Sequence, residues 1–383
     1  MCDFTEEKIQ LLKDANAKMH ICEDQNIEKN KNLIFVYCPP KVGSTSLVTS
    51  FRLSALQKYT IFHIHDELML KVLCGIENVT LNEIIKYNKF LGKNVYVIDI
   101  YRSPIEHKIS VFFEKVSSYH FNNSEENVNS YSIEKIIYRF NRLFPHLTRA
   151  DYYKSVFNIP FPESFDFSRK YLCEEINGIN YIKLRLKDSA EWERILSGIF
   201  QINIKIVKDY ETEKKQVKDL YRMFKENYKI PSNFLQLEEN SESLKYYYSP
   251  EEREEYLNIW KNRQCEEFEP FSVSEYLLYT EITSSNQHIG EIQRSHYIDD
   301  GCSCISCNRK RRIVLYKLSN GENDVEAIDH NQANKEYKRI IYQKKMNVLK
   351  KIVSENINKQ NNLRRVKPRN IVRNTFTSQF KKN

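Results

Sequence analysis

LIFVYCPPKVGSTSL, residues 33–47, joins a short unbroken apolar run to a stretch of helical periodicity through a tight turn. LIFVYC, rich in β-branched and aromatic residues, has the pattern of a strand buried on both faces. Pro39-Pro40 ends it, because proline cannot donate to a ladder. From Ser44 to about Lys58, Leu47, Phe51 and Leu56 recur at helical spacing, with serine and threonine available as caps. The same alternation continues outward. YTIFHI (59–64) reads as a second strand, followed by helices near 67–73 and 81–91, the latter with Thr80 as N-cap. NVYVIDIY (94–101) is a third buried strand and passes through RSP into the helix IEHKISVFFEKV. Strands alternating with helices predict an α/β fold, a central parallel sheet flanked by helices, with ligands at the carboxyl ends of the strands.

Further along, a helix is expected near 132–143. KYLCEE (170–175) and INYIKLRL (179–186) flank Asn177-Gly178, a hairpin signal. Helical patterns follow at 188–199, 211–227 and 249–263, the last opened by Ser249, Pro250 and Glu252 as a capping box. Beyond about residue 270 the periodicity weakens. The expected division is an N-terminal helix and linker (1–30), an α/β domain (31–268), an irregular cysteine-containing segment (269–330) and a basic, partly helical tail (331–383).

With 8 glycines in 383 residues and 41% hydrophobic content, the chain is neither collagenous nor disordered. No run approaches the ~18 apolar residues of a membrane span, and charges occupy the N-terminus, so a cytoplasmic protein is expected. The formal charge of +8 is local: residues 331–383 carry 15 Lys plus Arg against 2 Asp plus Glu, leaving residues 1–330 at a net −5. Such a tail suits contact with a polyanion, or simply solvation. Nine cysteines, mostly isolated, argue against a disulfide framework. Cys302, Cys304 and Cys307, with His296 upstream, have the donor types of a Cys3His zinc site, but their spacing is crowded and no metal is assigned.

Between the first strand and its helix, CPPKVGSTSL has the composition of an anion cradle. A helix N-terminus offers unpaired N–H groups and a positive dipole end, Gly43 permits close backbone approach, Ser44, Thr45 and Ser46 add hydroxyls, and Lys41 adds charge. A Walker A loop places its lysine after the last glycine, whereas Lys41 precedes Gly43, which disfavours a P-loop kinase. At the third strand Arg102 closes the strand, and Ser110 lies two helical turns further on. An arginine fork with a nearby hydroxyl makes a second anion site, so one ligand with two separated phosphates is expected.

PKVGSTSL resembles the 5′-phosphosulfate loop of sulfotransferases, P-K-x-G-[ST]-[ST]-x-L, and RSPIEHKIS is similar to their 3′-phosphate loop. The likeness covers roughly residues 33–263 and is sharp in those two loops. Weaker similarity, in LYRMFKENYKIP and YYYSPEEREEYLNIWKNR, points to sulfotransferases associated with capsular polysaccharide. The resemblance implies a P-loop-like three-layer sandwich and 3′-phosphoadenosine-5′-phosphosulfate (PAPS) as donor substrate. It also implies that Lys41, Gly43, Ser44, Thr45 and Ser46 bind the 5′-phosphosulfate, and that Arg102 and Ser110 bind the 3′-phosphate. A hydroxyl, above all of a carbohydrate, is the implied acceptor. The rival from another class is a non-catalytic nucleotide- or polyanion-binding protein on the same fold.

Sulfuryl transfer needs charge at the leaving oxygen, a role that fits Lys41, and a base for the acceptor proton. FHIHDEL puts His63 and His65 on one side of the second strand end, and a histidine near its ordinary pKa of about 6.5 takes up a proton near neutrality. This His-x-His resembles the strand-end histidines of uronyl 2-O-sulfotransferases. His65 is the expected base with His63 in support, and Glu67 is the reserve. The acceptor is expected beside His65, near segments from 120 to 165.

Overall fold

The computed structural model describes residues 4–114, 116–148, 151–160, 162–207 and 217–284, with isolated positions between 313 and 347. Helix α1 (Glu6–Lys18) and the single turn α2 (Glu28–Lys31) lead into β1 (Asn32–Tyr37). Then come α3 (Ser44–Ser54), β2 (Thr60–Ile64), α4 (Glu67–Cys74), α5 (Leu81–Phe90), β3 (Asn94–Tyr101) and α6 (Pro104–Glu114). A π-helical turn, Val116–Phe121, precedes α7 (Glu125–Asn129), α8 (Ile133–Leu143) and α9 (Tyr152–Ser155). The hairpin β4 (Tyr171–Ile176) and β5 (Ile179–Arg185) follows.

These strands form one five-stranded sheet in the order β2-β1-β3-β5-β4. β1 runs parallel to β2 and β3, and β3 runs parallel to β5; only the edge strand β4 is antiparallel. The hairpin turn is built as its residues demand, with Asn177 at φ 52° and Gly178 at φ 75°, both left-handed. The carboxyl ends of β1 and β3 are therefore neighbours, which sets the loops that follow them side by side.

Period two divides β1 between two cores. Leu33, Phe35 and Tyr37 enter one, with Leu12 of α1, Ile84 of α5, Ile105 of α6 and Phe140 of α8. Ile34 and Val36 enter the other, with Leu47 and Phe51 of α3 and with Trp192 and Leu196 of α10 (Trp192–Phe200). Helices thus cover both faces of the sheet. Each such buried Leu, Ile or Phe contributes ~1.5–3 kcal/mol, which makes the strand ends a firm platform.

The remaining elements are α11 (Lys218–Asn227), α12 (Ser232–Glu239), α13 (Glu242–Tyr247), α14 (Pro250–Lys261) and α15 (Val273–Ser284), with a two-residue strand pair, β6 (Ile230–Pro231) and β7 (Gln264–Cys265). The expected capping boxes form at Thr80/Glu83 and Ser249/Glu252.

Four points differ from the sequence expectation. The helix expected over 188–199 begins as a 3-10 turn, Leu186–Glu191, and becomes α-helical only at Trp192. The segment expected to be irregular beyond 268 contains α15, whose apolar residues face both ways: Tyr276 and Tyr279 pack on the core while Val273, Leu277 and Leu278 are exposed. Two-sided apolarity hides a helix from a periodicity argument. The short helices α12 and α13 carried too few turns to be read. Finally, the N-terminal helix and linker are bound into the body. Asn16 and Asn88 exchange amide hydrogen bonds of 3.1 and 2.8 Å, and the Lys93 ammonium donates to the carbonyls of Cys22 and Asn30 at 2.7 and 2.6 Å.

Residues 208–216, His296, Cys302, Cys304, Cys307 and nearly all of the basic tail lie outside the described residues. Among the described residues, no helix is long and apolar enough to cross a membrane.

Candidate functional site

Leaving β1, the chain reverses through Cys38–Gly43, with Lys41 at φ 67° and Gly43 at φ 91°. Gly43 is the N-cap of α3 and has no alternative. A Cβ there would stand 2.8 Å from Leu186 Cδ1 and 3.3 Å from the Trp192 ring, besides adopting a left-handed backbone. Lys41 accepts the same backbone region at a cost of ~1–2 kcal/mol. Two contacts hold it: its carbonyl accepts from Arg102 Nη1 at 2.6 Å, and its ammonium pairs with Glu114 Oε2 at 2.8 Å.

Helix α6 is the other wall of this loop. His107, Ser110 and Glu114 recur at i, i+3 and i+7, hence on one face. His107 Nε2 donates to the Pro40 carbonyl at 2.8 Å, Glu114 holds Lys41, and Ser110 lies between them in position, 2% exposed. Burial pushes the His107 imidazole down to about 3, against the pull of the Pro40 carbonyl, so the ring is neutral. Arg102 is also lowered from its ordinary value by burial, opposed by Tyr221 and Glu106, and remains a cation.

On the opposite flank, β2 delivers the two histidines. His63 is buried, and its Nε2 lies 2.9 Å from Ser44 Oγ. Ser44 therefore turns inward, while Thr45 and Ser46 stay partly exposed at the first turn of α3. The His65 ring packs edge-on against His63 with centroids 4.6 Å apart. Its Nδ1 lies 2.8 Å from the Cys38 carbonyl. A carbonyl only accepts, so Nδ1 carries the hydrogen and the neutral ring keeps its lone pair on Nε2. Burial lowers the His65 pKa, with the Cys38 carbonyl opposing. Tyr152 donates to the His65 carbonyl at 2.6 Å, which brings the segment after α8 to this strand end. Glu67 is drawn elsewhere: its carboxylate accepts from Leu81 N at 3.1 Å and from Tyr37 Oη at 3.4 Å.

A cavity of about 430 Å³ opens at the carboxyl ends of β1, β3 and β5. Pro39 and Val42 of the first loop line it, with Arg102, Lys108, Asp151 and Lys183. Tyr101 also lines it, and its buried hydroxyl has no hydrogen-bond partner among the described residues. In the cavity wall, Lys183 sits between Asp99 at 2.5 Å and Asp151 at 2.6 Å, all three side chains at most 3% exposed. Burial opposes the charge of Lys183, and the two carboxylates overcome it and raise its pKa. Burial pushes Asp99 up to about 7, against Lys183. Lys108, lowered by burial, donates to Thr148 Oγ1 at 3.2 Å and faces Glu238 at 3.6 Å.

The structure thus gathers Lys41, Gly43, Ser44, Arg102, Ser110, His63 and His65 about one loop. It also separates them: of these only Arg102 lines the cavity, which lies on the β3–β5 side, while His65 is on the β2 side. Sequence reasoning missed Glu114, His107, Lys108, Asp99, Asp151 and Lys183. One signal was available for two of them. Asp99 is the single charge in β3, and Lys183 of β5 faces it across the β3–β5 ladder as an opposite charge. Among the described residues, no group of three or more His, Cys, Asp or Glu is disposed to hold a metal.

Comparison with family models, with curated proteins and with solved structures returns no match.

Proposed function

We propose that the chain is a sulfotransferase that moves a sulfuryl group from PAPS to a hydroxyl of a carbohydrate, on a P-loop-like sandwich. One observation carries the reading. The 2.6 Å bond from Arg102 to the Lys41 carbonyl ties the two anion loops together at adjacent strand ends, beside a cavity lined from both. A ligand with two separated phosphates needs that juxtaposition.

In this mechanism the 5′-phosphosulfate meets the N-terminus of α3 with Thr45 and Ser46, and Arg102 with Ser110 receives the 3′-phosphate. The acceptor oxygen forms a bond to sulfur as the sulfur–oxygen bond to the 5′-phosphate breaks. Lys41, held by its ion pair with Glu114, donates a hydrogen bond to the departing phosphate oxygen. The acceptor proton passes to Nε2 of His65, whose tautomer the Cys38 carbonyl sets. In-line displacement puts acceptor and leaving group on opposite sides of sulfur, which suits a 3′-phosphate held by Arg102 on the β3 side and a base on the β2 side. His63 holds Ser44 and positions the loop without entering the proton transfer.

The test is transfer of labelled sulfate from PAPS to a panel of neutral and acidic glycans, with Lys41→Ala as control. Transfer by the parent chain and none by the variant is expected. No transfer combined with no binding of adenosine 3′,5′-bisphosphate would sink the reading. Bisphosphate binding without transfer to any acceptor would favour the non-catalytic alternative.

A further inference from the structure

A second cleft, of about 770 Å³, lies on the outer side of Arg102 between α6, α11 and α14. Its rim carries Lys218, Arg222 and Lys225 of α11 and Arg263 just after α14. Positions 218, 222 and 225 repeat at i, i+4 and i+7, so they form a row on one helix face, ~10 Å long at 1.5 Å per residue. All three are exposed, whereas Leu220, Tyr221 and Phe224 turn into the core. Arg263 donates to the carbonyls of Lys225 and Glu226, which caps α11 and fixes the row against α14.

Charge in the cleft runs against that of the surrounding body. Residues 1–330 are net −5, yet the lining holds five cations and three carboxylates. Two of those carboxylates are engaged: Glu106 accepts from Tyr256 Oη at 2.8 Å and Trp260 Nε1 at 3.2 Å, and Asp219 pairs with Arg222 at 3.1 Å. Ile259, 54% exposed, supplies the accessible apolar lining, with Ile109 buried at 4%. Tyr221 and Trp260 are only 7% and 5% exposed, so no aromatic face is offered for base stacking, which argues against a single-stranded nucleic acid.

We propose that this cleft docks an anionic glycan strand, its carboxylate or sulfate groups on the α11 row and a sugar ring against Ile259. The choice of a glycan rests on the sulfotransferase reading, and it narrows the acceptor to an acidic polysaccharide. Arg102 is the wall shared with the inner cavity, bonded to the Lys41 carbonyl on one side and facing Tyr221 on the other. A strand held in the cleft is therefore retained next to the donor loop.

The experiment uses the full chain and the triple variant Lys218→Glu/Arg222→Glu/Lys225→Glu, with Lys218→Gln/Arg222→Gln/Lys225→Gln as the milder form should charge reversal disturb folding. Binding of a fluorescent sulfated, uronate-bearing hexasaccharide and of adenosine 3′,5′-bisphosphate is measured for each. The glycan is expected to bind the parent in a salt-sensitive way and the variants about tenfold or more weakly, with bisphosphate affinity unchanged. A parent that does not bind the hexasaccharide overturns the proposal, as do variants that bind it undiminished. Loss of bisphosphate affinity with glycan binding intact also overturns it, by assigning the cleft to the donor. If the sulfotransferase reading itself fails, the parent does not bind the bisphosphate, an outcome separate from the glycan result.

Discussion

Lys41 holds a left-handed backbone that glycine would hold at lower cost, and it does so with its ammonium against Glu114 and its carbonyl against Arg102. A position that keeps a strained lysine has a use for the charge. Lys41→Gly is expected to leave thermal stability unchanged or raised by about 1 kcal/mol, and to lower sulfuryl transfer at least ~10²-fold. A melting curve and a transfer assay on one preparation check both halves. His65 gives a second outcome at this scale. Its lowered pKa means the ring stays neutral to lower pH than an ordinary histidine, so the acid limb of the rate profile falls below ~6.5. Replacing His65 with alanine should remove that limb and cost ~10²–10⁴-fold in rate. Retention of the limb in the variant would assign the base elsewhere.

Among the elements, β3 and β5 carry a buried charge cluster where apolar contact was expected. Lys183 pairs with both Asp99 and Asp151, so Lys183→Met leaves two buried carboxylates without their shared cation. A loss of ~3–5 kcal/mol in denaturant unfolding is expected. The deficit should shrink in mild acid, because the raised pKa of Asp99 favours its protonated form, which tolerates burial. An equal deficit at all pH values would mean that lost packing, not charge, explains the effect. The same strands show where legibility ends. β1, β3 and the Asn177-Gly178 hairpin were readable because apolar runs and turn chemistry are local. The placement of Lys41, Gly43 and Arg102 at strand ends was readable because each directly follows a strand pattern. Glu114, His107, Lys108 and Asp151 were not, since each gains its role from a partner that only the folded chain brings near. Helix α15 escaped for a different reason, its apolar residues being divided between core and surface.

Taken whole, the molecule joins a net acidic body to a basic tail, and the cations that face the proposed ligands belong to the body. Donor binding should therefore register as global stability. Adenosine 3′,5′-bisphosphate at a hundred times its Kd is expected to stabilise the chain by ~2.7 kcal/mol, read as a raised Tm. Lys41→Ala/Arg102→Ala should abolish the shift, and a shift surviving in that variant would place the nucleotide elsewhere. The sheet order also bears on how the protein is made. β3 pairs on one side with β1, which is already synthesised, and on the other with β5, whose Ile179 follows Val95 by 84 positions. At ~5–20 residues per second, the ribosome leaves that edge without its partner for roughly 4–17 s. Through this interval the Val95–Tyr101 edge is a template for the wrong strand, so the yield of native protein should depend on translation speed and on chaperones that cover an open sheet.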